Sequence, residues 1–197
     1  MIIHRFAATA FYRIRGPHDH LVNRDLARLL DRCHGAVLLD DALTVVPRHV
    51  IKYALARGHV VSLLPAVYVH ADLTADVEVR ERAALLYAGS DAVLTHHSAL
   101  RRWGLPVPAE MTQLVHVTVP MHVRRRTRPA VVNVHRTTRR VPTRSRGGME
   151  ITRLERSIVD SWPLLTGADQ RAPAIVRSPS DSRRRSGFFP KRWRRAM

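Results

Sequence analysis

The chain has 197 residues, of which 45% are apolar and 6% aromatic, with a formal net charge of +17 and a pI near 11.6. That length suits one large domain or two small ones with a real core, and the charge excludes an acidic disordered chain and favours a polyanionic partner. The single cysteine, Cys33, excludes a disulfide scaffold and a cysteine-based zinc site.

Residues 1–20 read as a leader, either a short strand or unstructured, ending in Gly16-Pro17. His4 and Arg5 interrupt its apolar run, so it is a poor secretory signal. The longest apolar stretch of the chain, residues 60–69, is broken by Ser62 and Pro65 and is far short of the roughly 20 residues a bilayer needs. A cytoplasmic protein with no membrane partner is expected.

Residues 21–71 carry helical spacing first. Leu26, Leu29, Leu30 and Cys33 follow the i, i+3, i+4, i+7 pattern, with Asn23 as N-cap and Gly35 closing the helix. On that face Cys33 fits a buried core thiol. After an apolar piece at residues 36–39, Asp40 or Asp41 can cap a second short helix through Val45. Pro47 suits the first turn of a third helix, where its missing N–H is not needed, and Gly58 ends it. Residues 60–70 alternate around Pro65 as two short strands joined by a turn. Three short helices followed by a hairpin is the order of a winged helix-turn-helix.

In the third helix Val50, Ile51, Ala54 and Leu55 form one apolar stripe, and Arg48, His49, Lys52, Tyr53 and Arg57 point away from it. Arg48 and Lys52 are i, i+4 neighbours and project together. A helix that enters the major groove needs this division, an apolar back and a front of long donors. A merely solvated helix face would carry the same residue types.

Residues 72–176 read as a second, small α/β unit. Residues 77–88 are helical, with Glu78, Arg80, Glu81 and Arg82 as a charged outer side. Residues 98–103 give a short helix stopped by Gly104-Leu105-Pro106. Residues 114–119 alternate as a half-buried strand, and residues 131–134 give another. Between them lies an arginine-rich loop, residues 122–128, and residues 122–148 together hold nine arginines and no acid. Arg124, Arg125, Arg126 and Arg128 are therefore candidates for a secondary nucleic-acid contact. Residues 151–165 form a last amphipathic helix, with Leu154, Ile158 and Val159 inward.

Residues 177–197 are rich in Ser, Arg and Pro without helical or strand period, as in a disordered basic tail. Phe188, Phe189 and Trp193 among its arginines fit base stacking, and equally a solvated extension read from a shifted frame.

Catalytic motifs are lacking. There is no P-loop, GxGxxG or nucleophile elbow, so no cofactor is expected. Asp91, Glu110, Glu150, Glu155 and Asp160 are scattered, and spacings of five misalign the last three by about 140° per step on a helix. Among twelve histidines, His96 and His97 are adjacent and fit a capping or packing role, and His116 and His135 could fall on neighbouring strands. No HExxH or 2-His-1-carboxylate spacing occurs, so neither a metal site nor an enzyme is expected.

Several segments together resemble the abortive-infection (AbiEi-type) antitoxins of type IV toxin–antitoxin systems and their actinobacterial relatives. Ala66-Val67-Tyr68-Val69 is similar to a "GVYV" strand, and residues 94–106 (LTHHSALRRWGLP) to an "LSHxSAAxLHGLP" segment. Residues 115–120 read VHVTVP, residues 132–136 match "VxVHR", and Thr152, Arg156 and Asp160 match "TxxxRxxxD". The resemblance spans roughly residues 22–165. It implies a DNA-binding transcriptional repressor with an N-terminal winged helix and a C-terminal antitoxin domain. Such a protein binds inverted repeats in its own operator and counters a nucleotidyltransferase-like toxin without a stable complex. The reading helix maps to residues 47–57 and the wing to residues 61–67. Two positions depart from the pattern: Pro47 replaces a Ser or Thr cap, and the wing lacks the relatives' arginines. Each lost phosphate contact removes about one unit of salt slope. The alternatives are a non-specific basic nucleic-acid-binding protein and a truncated nuclease-related protein.

Overall fold

The computed structural model describes residues 23–164. The expected leader (1–20) and basic tail (177–197) lie outside the described residues. The fold is mixed α+β, with six α-helices and two sheets among the described residues. None of these helices is long and apolar enough to cross a membrane.

The described residues begin with α1 (Arg24–Arg32), β1 (Ala36–Leu38), α2 (Leu39–Leu43), α3 (Arg48–Ala56), β2 (Val60–Leu64) and β3 (Val67–His70). The Asn23 side chain accepts from the backbone N–H groups of Asp25 and Leu26, as a capping residue should. Gly35 turns the chain into β1 at φ +87°, and an added Cβ there would lie 2.9 Å from both Leu73 and Val79. β1 pairs with β3 and β3 with β2, giving an antiparallel sheet of order β1-β3-β2. The apolar piece expected at residues 36–39 thus supplies a third strand to the hairpin.

Two helix starts differ from expectation. Asp40 and Asp41 lie inside the first turn of α2, because Leu39 donates its N–H to the Ala66 carbonyl and the strand passes directly into the helix. There they complement the helix dipole without capping it. Pro47 is the residue before α3 and not its first turn, with extended ψ of 153°.

The second part holds α4 (Val77–Ala88), β4 (Val93–Leu94), α5 (His96–Arg102), β5 (Val115–Pro120), β6 (Val132–Thr137), β7 (Thr143–Arg146), β8 (Met149–Thr152) and α6 (Leu154–Ser161). Its sheet has the order β6-β5-β4-β8-β7, with β5∥β6 and β4∥β8 and the other pairs antiparallel. Leu26 and Leu30 of α1, Val37 of β1, Ala42 of α2 and Ile51 and Ala54 of α3 are buried in one cluster. Cys33 packs against that cluster and is half-buried, so it is not the fully buried thiol its spacing suggested. The other face of the small sheet, through Leu64, Val67 and Val69, belongs to a larger cluster shared with α4 and the second sheet. α4 touches strands of both sheets.

That position explains why the charged outer side expected for α4 is not one. Glu81 is fully buried and Arg80 nearly so. The Arg80 guanidinium donates to the carbonyls of Thr74, Gln113 and Ala130. Glu81 is held by Arg101 and, at 2.5 Å, by Arg102 of α5. Burial pushes its carboxyl up, against the pull of those two cations. β5 is buried on both faces and not half-buried, because α4 covers one side and α5 the other. The last helix starts at Leu154, since Ile151 belongs to β8, and Val159 points outward at 62% exposure while Ser157 and Ser161 are buried.

Candidate functional site

Two arrangements of side chains stand out. The first is the outer face of α3. Ile51 and Ala54 are buried, and Val50 and Leu55 pack against the same cluster. With the back of the helix so fixed, its 3.6-residue period turns the other side to solvent. Arg48, His49, Lys52, Tyr53 and Arg57 are all exposed. Tyr53 is 48% exposed, and the Arg57 guanidinium lies 5.2 Å from its ring centroid. Among the described residues, Arg48, Lys52 and Arg57 make no ion pair. Arg48 and Lys52 thus project together, with Arg57 at the far flank of the same exposed half, and no carboxylate neutralises them. The turn between β2 and β3, where Ala66 takes φ +62°, carries no basic residue.

Arg124, Arg125, Arg126 and Arg128 are exposed in the loop between β5 and β6. The loop is pinned from beneath: Arg136 donates to the carbonyls of Val123 and Arg125, and the Tyr87 hydroxyl donates to that of Arg126. The Arg125 guanidinium sits 5.5 Å from the Tyr87 ring centroid.

The second arrangement is a cluster of four imidazoles, and sequence spacing missed it. On β5 the period of two sends Val115, Val117 and Val119 into the core with α4 and turns His116 and Thr118 to the opposite face. The parallel register sets Thr118 beside His135 of β6, so His135 shares that face. The start of α5 is stitched across it: Thr95 donates its N–H to the His116 carbonyl, and His116 donates its own to Ser98 Oγ. His96 and His97 are the first two residues of α5, and His96 takes a left-handed φ of +51°, rare outside glycine. Their adjacency directs them to different neighbours in the same cluster. His96 stacks on His135 with centroids 4.0 Å apart, and His97 meets His116 edge-on at 4.2 Å.

The ring nitrogens are sparsely partnered. His135 Nε2 lies 3.0 Å from His116 Nδ1. His97 Nε2 donates to the Leu114 carbonyl at 3.1 Å. Nδ1 of His96 and of His97 is buried without a hydrogen-bond partner. Burial, with the neighbouring imidazoles adding to it, pushes His116 down from 6.5 to about 2. Burial and then His135 push His96 down to about 4, while the Asp160 charge pulls the other way. His97 and His135 are lowered too, burial being the main cause. All four rings are therefore neutral at pH 7. Asp160 reaches the cluster edge from α6, where it accepts from Arg156 Nε at 2.7 Å and from the Thr95 hydroxyl at 3.3 Å.

The histidines and Asp160 come from four of the segments that carried the family resemblance; the missing signal was their convergence, which only the strand register supplies. No protein-family model matches the chain, and no curated protein matches its sequence.

Proposed function

We propose that the protein is a regulator that binds double-stranded DNA, with α3 entering the major groove. One observation carries the reading: Arg48, His49, Lys52, Tyr53 and Arg57 are exposed together on a helix whose opposite side is buried. Long donors on a rigid, backed helix can reach base edges, and unpaired guanidinium and ammonium groups are available to phosphates and guanine. The order α1, α2, α3, hairpin fits a winged helix-turn-helix, and β1 closing beside β3 is compatible with it.

The uncharged β2–β3 turn adds little to phosphate binding. The loop cations Arg124, Arg125, Arg126 and Arg128 supply the sequence-independent share in this reading. Binding to an inverted repeat calls for paired copies of the chain. The more specific role, the antitoxin of a type IV system that opposes a nucleotidyltransferase-like toxin from the cytoplasm, rests on the sequence resemblance.

Selection of duplexes from a randomised library by the full chain at physiological salt tests the DNA reading. Enrichment of one inverted repeat is expected. Recovery of duplexes with no shared sequence contradicts a regulator and favours the non-specific alternative. A search of the adjacent reading frames for a nucleotidyltransferase-like toxin, followed by its co-expression with this chain, tests the antitoxin role, with growth rescue as the expected outcome.

A further inference from the structure

We infer that His96, His116 and His135 form a binding site for one divalent first-row transition metal ion, with Zn²⁺ the best fit. One ligand nitrogen from each of these rings lies within 4.8 Å of the other two. Three points so spaced all lie within about 2.8 Å of a common centre, against about 2.0–2.1 Å for a zinc–imidazole bond. Side-chain movements of under about 1 Å per ring close that difference. The 3.0 Å separation of His135 Nε2 and His116 Nδ1 is already near the about 3.3 Å between two ligands of a tetrahedral ion.

Chemistry selects the ion class. Three imidazoles with no thiolate suit zinc, copper, nickel or iron and are poor ligands for magnesium or calcium, which take oxygen. His96 has a buried, unpartnered Nδ1, and its left-handed backbone holds the ring over the strand face. An orphaned polar atom and a left-handed backbone coincide at His96, and a ligand there accounts for both. Asp160 places a carboxylate at the edge of the cluster, where Arg156 Nε and the Thr95 hydroxyl donate to it. Three protein ligands leave a fourth position for water, the pattern of zinc sites that are not purely structural. His97 is not one of the three, because the group whose ligand nitrogens lie within 4.8 Å of one another does not include it.

The test uses the untagged full chain, stripped with a chelator and desalted, and titrated with Zn²⁺ in competition with a chromophoric chelator. One ion per chain is expected, with a rise in melting temperature. His116→Gln and His135→Gln each weaken binding by at least about tenfold, the size of a lost ligand or partner. His122→Gln, at an exposed loop position, leaves it unchanged. His135 is only partly buried, so His135→Gln keeps the test valid if His116→Gln fails to fold; circular dichroism decides that. Co²⁺ in place of Zn²⁺ gives visible ligand-field bands in the parent chain that His135→Gln loses. Absence of stoichiometric binding, or binding that folded His135→Gln retains at full strength, overturns the site.

Discussion

Glu81 of α4 and Arg102 of α5 meet at 2.5 Å, with the carboxylate fully buried and Arg101 on its other oxygen. This contact ties the helix between the two sheets to the helix that carries His96 and His97. Removing one partner of a buried pair strands the other, at a cost of about 3–5 kcal/mol. Glu81→Ala is therefore expected to lower unfolding stability by more than about 1 kcal/mol but by less than that full cost, read as a shift in urea midpoint, because Arg102 keeps Glu78 and Arg101 is partly exposed. A change under about 1 kcal/mol contradicts a buried pair at this site.

Gly35 is held at positive φ with no room for a side chain. Gly35→Ala adds a Cβ that meets Leu73 and Val79, on a backbone that L-residues rarely adopt, and the strain alone is about 1–3 kcal/mol. Thermal melting is expected to show a drop of several degrees. An unchanged melting temperature means the α1–β1 turn is wrongly placed.

The neutral imidazoles set an acid limit on the metal-free protein. Their folded pKa values lie below the ordinary 6.5, with His96 at about 4 and His116 at about 2. The unfolded chain thus binds more protons, and stability rises with pH over that interval. The contribution is complete above about 6.5 and is lost as pH falls towards 4. Asp160 and Arg156 flank the cluster and act in opposite directions on His96. Urea midpoints, with chelator present, are expected to hold from pH 7.5 to about 6.5 and then to fall towards pH 5. A flat profile contradicts buried neutral histidines.

How much of this was legible beforehand follows from where each element finds its partners. The bounds of α4 are legible in the sequence, though its buried charges are not, and so is the β2–β3 hairpin around Pro65. The β7–β8 hairpin was not, because Arg144, Ser145 and Arg146 are exposed and look like basic loop. Its local signal was Gly147-Gly148, both at positive φ, the preference of a tight hairpin turn. Glu81 and Arg80 read as surface residues because their partners lie on α5 and in distant loops. The face of α3 was legible, since a helix dictates its own geometry. The histidine cluster was not, because it depends on the pairing of β5 with β6.

The loop arginines are expected to act through charge alone. Replacing Arg124, Arg125 and Arg126 by Ser lowers the slope of log affinity against log salt by up to about 2.7, at about 0.9 per phosphate contact. Sequence preference stays as it was. A changed preference places these residues at base edges.

The most direct test of the account is a gel shift of the selected duplex at moderate salt with Arg48→Ala/Lys52→Ala. The two positions are exposed neighbours on α3, so the fold is expected to persist by circular dichroism. The account predicts that specific binding is abolished. Undiminished binding by the folded double variant contradicts it.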